Sequence, residues 1–494
     1  MGTAFALIYI MMKKIIFGLT LILCLLSSNT ALANSLQCRQ LFSSAKNSQA
    51  TQASVGRYLK TTLNSLSAMR GKNGLLRDAV WIRNKADKSF EVVTLNPDAS
   101  PTNLAVDLLI NTELLNSPSR KAQASENLNR LLNILGQVDI HKPTGLFFSR
   151  YSSDTKTPVI KDPSVSSIDN LHLAIALWTI NETYPKTALG AKALVLFKRM
   201  DFSIYYDNDS GLIGGNLRKE NDHWVRETYN FANLGSEARL LYSAGYSLGL
   251  FRNVKNENAF FTKVFNNIKL EIHQSDEGPL LKLWDGSAFQ LFFPRIFANE
   301  NLYSNKIDQL FANDAEYMIE EGRRRNLMTP AAHSAIRVGT HEDIYKGEGS
   351  IYRDKGGDVS LVSSDNADVN DPTLRKLWDG AFAPYALVMA AAASPEKIMP
   401  VLNRLENMHS GFDYLYHQHL GWMEGMHVTG PQKGEVVASQ LSLNQGMLAL
   451  SLLQLNSSDG LSASARAMNA NTVVRNKMQK FYRHFDKKLS ESIQ

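Results

Sequence analysis

Hydrophobic residues recur at steps of three and four along most of the chain, which is the spacing of amphipathic or buried helices. This spacing predicts roughly a dozen helices. Their expected ranges are 37–69, 104–115, 122–135, 167–182, 187–200, 229–251, 260–272, 287–297, 306–325, 380–393, 395–408, 435–455 and 462–488. Strand-like alternation is clearest at residues 81–93, where we predict a small hairpin.

The predicted helices are joined by alternating short and long connections, and almost no convincing strand lies between them. This pattern suits an all-α fold, an (α/α)6 toroid or barrel whose long loops form a cleft at one end. An α-solenoid is the competing architecture, but the sequence shows no repeat of fixed period. The long polar segment 329–379 is typical of a functional loop or lid.

The N-terminus has the features of a secretory signal peptide. A basic pair, Lys13 and Lys14, precedes an apolar run at 15–26, and Ala31 and Ala33 form a small-x-small cleavage site. We predict cleavage after Ala33 and a periplasmic or secreted protein; an uncleaved anchor is the alternative. Cleavage would leave Cys38 as a single cysteine, which cannot form an internal disulfide.

This gives a predicted division of the chain into four parts. They are a signal peptide at 1–33, an N-terminal helical segment at 34–80, a main domain at 81–460 and a basic C-terminal helix at 461–494. No second apolar run is long enough to span a membrane, so we expect no stable span after cleavage.

Several function classes lack their usual signals in this sequence. The net charge of +6 is mild and has no Lys/Arg block, so we expect no nucleic-acid partner. There is no Walker loop, no His-Glu-x-x-His and no paired cysteine motif, and we expect neither a cofactor nor a catalytic metal. The glycines Gly211, Gly214 and Gly215 follow no clear strand, which weakens a dinucleotide interpretation.

Acidic residues beside aromatic ones recur at predicted loops and helix starts. Flat aromatic side chains stack on sugar rings, and glycoside cleavage needs two carboxyl groups across the bond. The clusters are Tyr205, Tyr206, Asp207 and Asp209; His223, Trp224, Arg226, Glu227 and Tyr229; Trp284, Asp285 and Phe289; Trp378, Asp379, Phe382 and Tyr385; and Tyr414, Tyr416, Trp422, Glu424 and His427. From these clusters we predict sugar contacts by Tyr229, Trp284, Trp378 and Trp422.

One predicted helix, at 229–251, carries an acid and a base among apolar and small residues. Glu237 and Arg239 are two positions apart, so they do not face each other on a helix. A carboxylate in an apolar setting is costly unless it is paired or used in chemistry. Glu237 is therefore either a structural ion-pair partner of an arginine or a functional acid.

Five short motifs in this order resemble a known family. They are Ser100-Pro101-Thr102-Asn103; Ser166-Ser167-Ile168-Asp169-Asn170 with Leu173-Ala174; Ser236-Glu237-Ala238-Arg239; Trp284-Asp285-Gly286-Ser287-Ala288-Phe289; and Asn444-Gln445-Gly446-Met447. The sequence resembles the glucoamylase-like (α/α)6 domain of cyclic β-1,2-glucan synthases and, more loosely, bacterial endo-β-1,2-glucanases. The resemblance spans residues 81–455. It implies an (α/α)6 barrel and a β-glucan substrate, with the β-1,2 linkage favoured.

The resemblance also assigns roles to individual residues. It implies that Glu237 is a catalytic carboxylate, and that Asp169, Asn170, Trp284, Asp285 and Gln445 line the same cleft.

Two positions depart from the family pattern. In the synthase-type domain a second glutamate follows a Trp-Gly-Ile-Ser run, and the matching place here holds His333. In the glucanase type an aspartate precedes Gln-Gly, and here that residue is Asn444. Another acid could replace the missing partner, or His333 could act as an acid or base. The candidate acids are Glu342, Asp343, Glu348, Asp379 and Glu424.

Three functions therefore stay open at the level of the sequence. The favoured one is an exported glycoside hydrolase or transglycosylase that acts on β-glucan. The second is a non-catalytic glycan-binding protein on the same barrel, which His333 and Asn444 favour. The third is an envelope-assembly partner, for which the basic C-terminal helix is the one indication.

Overall fold

A computed structural model describes residues 49–332, 335–337, 345–347, 381–428 and 432–493. The chain divides into two compact units, Met1–Ala53 and Ser54–Gln494. Of the first unit the structure describes the start of helix α1, and the second unit holds the elements that follow. Among the described residues, none of the helices has the length and apolarity to cross a membrane. The signal peptide and the domain boundaries at residues 33, 80 and 460 stay predictions.

Helices dominate the described part of the chain. In order they are α1 (Gln49–Ala68), α2 (Pro101–Leu114), α3 (Lys121–Gln137), α4 (Ser167–Thr183), α5 (Ala188–Arg199), the π-helix (Leu241–Gly245), α6 (Glu257–Asn267), α7 (Ala288–Ala298), α8 (Asn305–Arg324), α9 (Pro384–Ala391), α10 (Pro395–Leu405), α11 (Ser442–Asn456), α12 (Ala463–Ala470) and α13 (Thr472–Ile493). Short 3-10 turns lie at Ser203–Tyr205 and Glu300–Leu302.

Buried and amphipathic helices alternate along this order. Helices α2, α4, α7, α9, α11 and the π-helix are buried over almost their whole length, whereas α3, α5, α6, α8 and α10 bury one face. Pairs of buried helices are in contact: α2 with α4, α4 with the π-helix, α7 with α9, α9 with α11, and α11 with α2. The buried helices therefore form the core, and the amphipathic helices cover it.

Short strands join the helices, which the expectation of an all-α chain did not include. They are β1 (Ala79–Asn84), β2 (Phe90–Asn96), β3 (Asp98–Ala99), β4 (Ile140–His141), β5 (Leu146–Phe147), β6 (Arg150–Ser152), β7 (Ile160–Asp162), β8 (Val165–Ser166), β9 (Ile213–Gly214), β10 (Asn216–Glu220), β11 (His223–Arg226), β12 (Asn230–Phe231), β13 (Ile272–Ser275), β14 (Gly278–Leu281), β15 (Ala335–Arg337), β16 (Tyr345–Gly347), β17 (Ala381–Phe382), β18 (His409–Ser410), β19 (Asp413–Tyr414), β20 (Tyr416–His417), β21 (Gly421–Trp422), β22 (Gly425–His427), β23 (Val436–Val437) and β24 (Ser439–Leu441).

These strands pair in sheets of two or three. The predicted hairpin at 81–93 is confirmed, because β1 and β2 pair with Trp81 opposite Val93 and Ile82 opposite Val92. Strand β1 also pairs with β24, so Trp81 lies opposite Ser439. Most of the other strands have two to four residues, too few to produce a readable alternation.

Three predicted helices differ in kind as well as in their bounds from the structure. Residues 229–251 are a strand, a loop and a short helix that includes Leu241–Gly245. The range 435–455 begins with two strands before α11. The basic C-terminal helix is interrupted, because α12 and α13 are separated by Asn471, whose side-chain oxygen accepts a bond from the N–H of Val474 in α13.

Serine caps fix the starts of two buried helices. The Ser100 hydroxyl accepts from the N–H of Asn103, and Pro101 occupies the first turn of α2. The Ser166 hydroxyl accepts from the N–H of Asp169 in the same way at the start of α4. Both helices therefore begin just before the polar residues that the sequence analysis singled out.

Candidate active site

Glu237 lies in a turn just before the short helix that contains the π-helix, and the loop that leads to this turn is held on both sides. The Asn233 side chain accepts from the N–H of Gly235 at 2.6 Å, and the N–H of Trp284 donates to the Gly235 carbonyl at 2.8 Å. A Cβ atom at position 235 would lie 2.1 Å from the carbonyl oxygen of Lys282, so the close approach of these two loops requires glycine.

A second set of contacts fixes the backbone of Glu237 itself. Its N–H donates to the Gln290 side-chain oxygen at 2.7 Å, and Gln290 belongs to helix α7. Tyr242, in the π-helix, accepts from the N–H of Ile213 at 3.0 Å and donates to the Phe231 carbonyl. Single π-helical turns are frequent at functional sites, and this one begins four residues after the candidate acid.

A cleft of about 310 Å³ opens in front of Glu237. Its volume is in the range of small-molecule sites. Aromatic and polar residues line it: Tyr229, Phe231, Ser236, Glu237, Trp284 and Gln290. Tyr229 is 44% exposed and packs edge-on against Phe231, with ring centroids 5.3 Å apart. The structure thus brings three predicted site residues, Glu237, Tyr229 and Trp284, to one cleft.

The Glu237 carboxyl keeps 20% of its side-chain surface exposed at the cleft, although it lies deep in the protein. Burial, followed by the negative charges of Asp169 and Asp285, raises its pKa well above the ordinary glutamate value. Arg239 acts in the opposite direction. Because the acid form is favoured, this carboxyl is suited to donating a proton.

Arg239 is the partner of another acid. It is fully buried and forms an ion pair with buried Glu300, with Nε–Oε1 at 2.7 Å and Nη2–Oε2 at 2.8 Å. It also donates to the carbonyls of Gln290, at 2.7 Å, and Leu291. Tyr482 of α13 donates to Glu300 from the other side. Arg239 is therefore not the ion-pair partner of Glu237.

Asp169 and Asp285 lie near Glu237 and have different partners. Asp169 accepts a hydrogen bond from the Thr102 hydroxyl. Asp285 accepts from the N–H of Ser287 at 2.8 Å and from its hydroxyl at 2.7 Å, at the start of α7. Burial raises the pKa of Asp285, and these bonds oppose the increase. Asp285 thus lies just before the N-terminus of α7, where a negative charge is favoured.

Two of the residues predicted to line the cleft, Asn170 and Trp422, lie in the interior instead. The Asn170 side chain is fully buried, and its amide bonds to the N–H and carbonyl of Phe147 and to the Ser166 carbonyl. Trp422 is fully buried between Tyr58 and Tyr416, so it cannot stack on a sugar. Both side chains are therefore held in the core and not at the cleft, since Asn170 bonds to Phe147 from helix α4 and Trp422 packs from strand β21 against Tyr58 and Tyr416.

Gln445 and Glu424 belong to a separate buried group. Gln445 is 1% exposed and donates to the Trp422 carbonyl at 2.9 Å. Glu424 is also 1% exposed; it accepts from the Asn444 amide at 2.6 Å and from the N–H of Leu441 at 3.3 Å. The structure therefore places Glu424 and Gln445 against the start of α11, away from the surface. The predicted residues His333, Trp378 and Asp379 lie outside the described residues, as do Glu342, Asp343 and Glu348.

Sequence reasoning missed three residues of this site. Gln290 binds the Glu237 backbone, Thr102 binds Asp169, and His172 lies with its Nε2 atom 3.9 Å from Oε2 of Glu237. Thr102 and His172 fall inside motifs that were identified for other residues. The spacing of three between Asp169 and His172 puts them on one helix face and could have indicated His172.

Comparison with known structures shows the class of fold. An endo-β-1,2-glucanase mutant from Talaromyces funiculosus, solved with β-1,2-glucan, aligns with a TM-score of 0.68 at 11% identity over 90% of this chain and 91% of that one. An endo-β-1,2-glucanase from Chitinophaga pinensis, solved with sophorotriose and glucose, gives 0.64 at 10% identity over 88% and 98%. A glucoamylase-like protein from Bacteroides fragilis gives 0.65 at 14% identity over 87% and 96%.

These likenesses cover almost the whole length of each chain. The protein therefore has the fold that glucoamylase-like proteins and endo-β-1,2-glucanases share, as the five sequence motifs indicated. No protein-family model matches the chain. No curated protein matches it significantly either.

Proposed function

We propose that this protein is an exported glycoside hydrolase or transglycosylase that acts on β-glucan, with β-1,2-linked glucan as the favoured substrate. The observation that carries the proposal is Glu237, a carboxyl with a raised pKa in an aromatic-lined cleft. The fold supports it, because structural neighbours include endo-β-1,2-glucanases solved with β-1,2-glucan and with sophorotriose and glucose.

Glu237 acts in this proposal as the general acid. A carboxyl that stays protonated near neutral pH can donate its proton to the glycosidic oxygen as the bond breaks. Trp284 and Tyr229 supply flat surfaces on which sugar rings stack at either side of the bond. Activity should fall as the pH rises through the pKa of Glu237, because the ionised form has no proton to give.

Asp169 is the second carboxyl group that we propose. Its negative charge helps to keep Glu237 protonated, which is the arrangement of one charged and one neutral carboxyl that glycosidases use. Asp285 fits this role less well because Ser287 occupies one of its oxygens with two hydrogen bonds. Glu424 is buried against Asn444 and would have to become accessible before it could act.

Two further parts of the proposal concern architecture and location. The succession of buried helices, with α11 returning to α2 and Arg239 binding carbonyls of α7, supports a closed (α/α)6 toroid. The pattern at 13–33 supports export. Expression with the native leader should give a mature N-terminus at Asn34, which N-terminal sequencing checks.

The central experiment measures new reducing ends after the mature protein is incubated with linear β-1,2-glucan and with a panel of other β-glucans. Glu237→Gln should lower kcat at least 10³-fold and Asp169→Asn at least 10²-fold, magnitudes on the order of those for general acid–base groups. Glu316→Gln is a matched control, because Glu316 is an exposed acid paired with Lys397. Unchanged turnover in Glu237→Gln would overturn the proposal.

The same experiment separates the second candidate function. Asn444 occupies the position at which the resemblance to the glucanases leads us to expect a catalytic aspartate. Its amide donates a hydrogen bond to Glu424, and this arrangement favours a glycan-binding protein without turnover. That function predicts saturable binding of a glucan by calorimetry, a loss of binding in Trp284→Ala, and no reducing ends from any glucan in the panel.

A further inference from the structure

His172 is a buried histidine with one ring nitrogen directed at the candidate acid. It lies on α4, one turn after Asp169, and its side chain is 1% exposed. The aromatic rings of Phe293 and Phe297 enclose it, with centroids 4.7 and 4.9 Å from the imidazole. Such packing fixes the plane of the ring and leaves its two nitrogens to face defined partners.

The partners of Thr102 determine which ring nitrogen carries the hydrogen. The Thr102 hydroxyl has a single hydrogen, which it donates to Oδ1 of Asp169. The same hydroxyl oxygen lies 3.1 Å from Nδ1 of His172, so it must accept there. Nδ1 therefore carries the hydrogen, and Nε2 of the neutral ring presents a lone pair.

Nε2 faces Oε2 of Glu237 at 3.9 Å and has no hydrogen-bond partner among the described residues. Burial lowers the pKa of His172 to about 3, so the ring stays neutral at ordinary pH. A lone pair beside a carboxyl oxygen repels the ionised form and attracts the protonated one. A small rotation of the Glu237 side chain would bring the two atoms into hydrogen-bond range.

We propose that His172 is a positioning residue for Glu237: its Nε2 atom accepts a hydrogen bond from the protonated carboxyl, and Thr102 fixes the tautomer that makes this bond possible. Asp169, Thr102, His172 and Glu237 then form one chain of hydrogen bonds that joins the two carboxyl groups. The inference rests on the proposed function. The charged groups around Glu237 are Asp169 on α4, Asp285 before α7 and Arg239 in its own segment.

The test compares His172→Phe and Thr102→Val with the wild type. Phe keeps the ring between Phe293 and Phe297 but has no lone pair. Val keeps the shape of Thr but frees Nδ1, so the ring can instead donate from Nε2 to ionised Glu237. Both changes should move the alkaline limb of the kcat/KM profile to lower pH, by about one unit.

Two controls show whether a shift comes from this chain of bonds. Thr102→Ser keeps the hydroxyl and should restore the wild-type profile. His484→Phe alters a histidine that stacks on Phe261 and Phe265, and it should leave the profile in place. A merely structural role for His172 would lower kcat equally at every pH and leave the midpoint unchanged, and that result overturns the inference.

A second readout does not need turnover. Carbon NMR of protein labelled at the glutamate carboxyls, with the Glu237→Gln spectrum as the reference, follows the titration of Glu237 directly. A midpoint that falls in Thr102→Val, and returns in Thr102→Ser, supports the inference even if no glucan is cleaved. An unmoved midpoint in Thr102→Val refutes it, even if the protein is an active glucanase or His172→Phe fails to fold.

Discussion

The ion pair between Arg239 and Glu300 gives a quantitative prediction about how the site is held. Glu300→Gln keeps the size of the side chain and removes its charge. Arg239, which is fully buried, would then face a neutral amide instead of a carboxylate. The bond from Tyr482 would also lose its charged acceptor.

The expected magnitude follows from the burial of both partners. Removing one partner of a buried pair leaves an uncompensated charge and costs about 3–5 kcal/mol. The matched exposed pair of Glu316 and Lys397 has a similar length, 2.7 Å, but each side chain is more than 40% exposed. Glu316→Gln should therefore cost less than about 1 kcal/mol.

Urea unfolding at pH 7, followed by circular dichroism, measures both changes in the free energy of unfolding. The double variant, in which Arg239→Met and Glu300→Met are combined, should lose less free energy of unfolding than the sum of the losses in Arg239→Met alone and Glu300→Met alone. The reason is that the double variant leaves no unpaired charge in the core. If Glu300→Gln falls within about 1 kcal/mol of the wild type, the reasoning about burial and pairing is refuted.

Three further predictions concern the cleft. Trp284→Ala should raise KM about tenfold with a smaller change in kcat, because one stacking surface is lost; a ten-fold change corresponds to about 1.4 kcal/mol. Glu237→Gln should become more stable than the wild type as the pH rises above about 4.5, by up to about 1.4 kcal/mol per pH unit, because folded wild type keeps a proton on Glu237 that its unfolded chain releases. Urea unfolding at pH 5 and pH 8 measures the difference in the free energy of unfolding, and equal values for the two proteins at both pH values would contradict the prediction. Gly235→Ala should cost about 1–3 kcal/mol and lower kcat, since its Cβ would meet the Lys282 carbonyl; thermal unfolding and the reducing-end assay test both effects.

The sequence predicted the parts of the site that carry local signals. Glu237 stood out because an acid among apolar residues needs an explanation, and the structure places it at a cleft with Tyr229 and Trp284. Arg239 was expected not to face Glu237 from its spacing of two, and it binds Glu300 instead. The succession of helices followed from hydrophobic spacing, which is a property of each segment alone.

Other residues depend on contacts that no local pattern contains. Trp422 is an aromatic residue of the kind that stacks on sugar rings. The pairing of Gly421 with His417 instead places it between Tyr58 and Tyr416, inside the core. Residues 229–240 resemble a helix by spacing, whereas Phe231 pairs with Ile213 in a strand and the chain then turns before it becomes helical at Arg239. The role of His172 depends on Thr102, which comes from another helix. Such long-range contacts override local preference.

The pairing of β1 with β24 has a consequence for folding. Together with the bond from Ser65 to Gln440, at 2.6 Å across 375 positions, it joins early and late parts of the chain. Contacts at such separation carry a large loop-closure entropy and form late. A repeat protein can begin to fold at any of its repeats, but the contacts described here form only when both parts of the chain are present. The second unit should therefore fold slowly and cooperatively, and truncation at residue 435 should release the N-terminal hairpin as well as the missing helices.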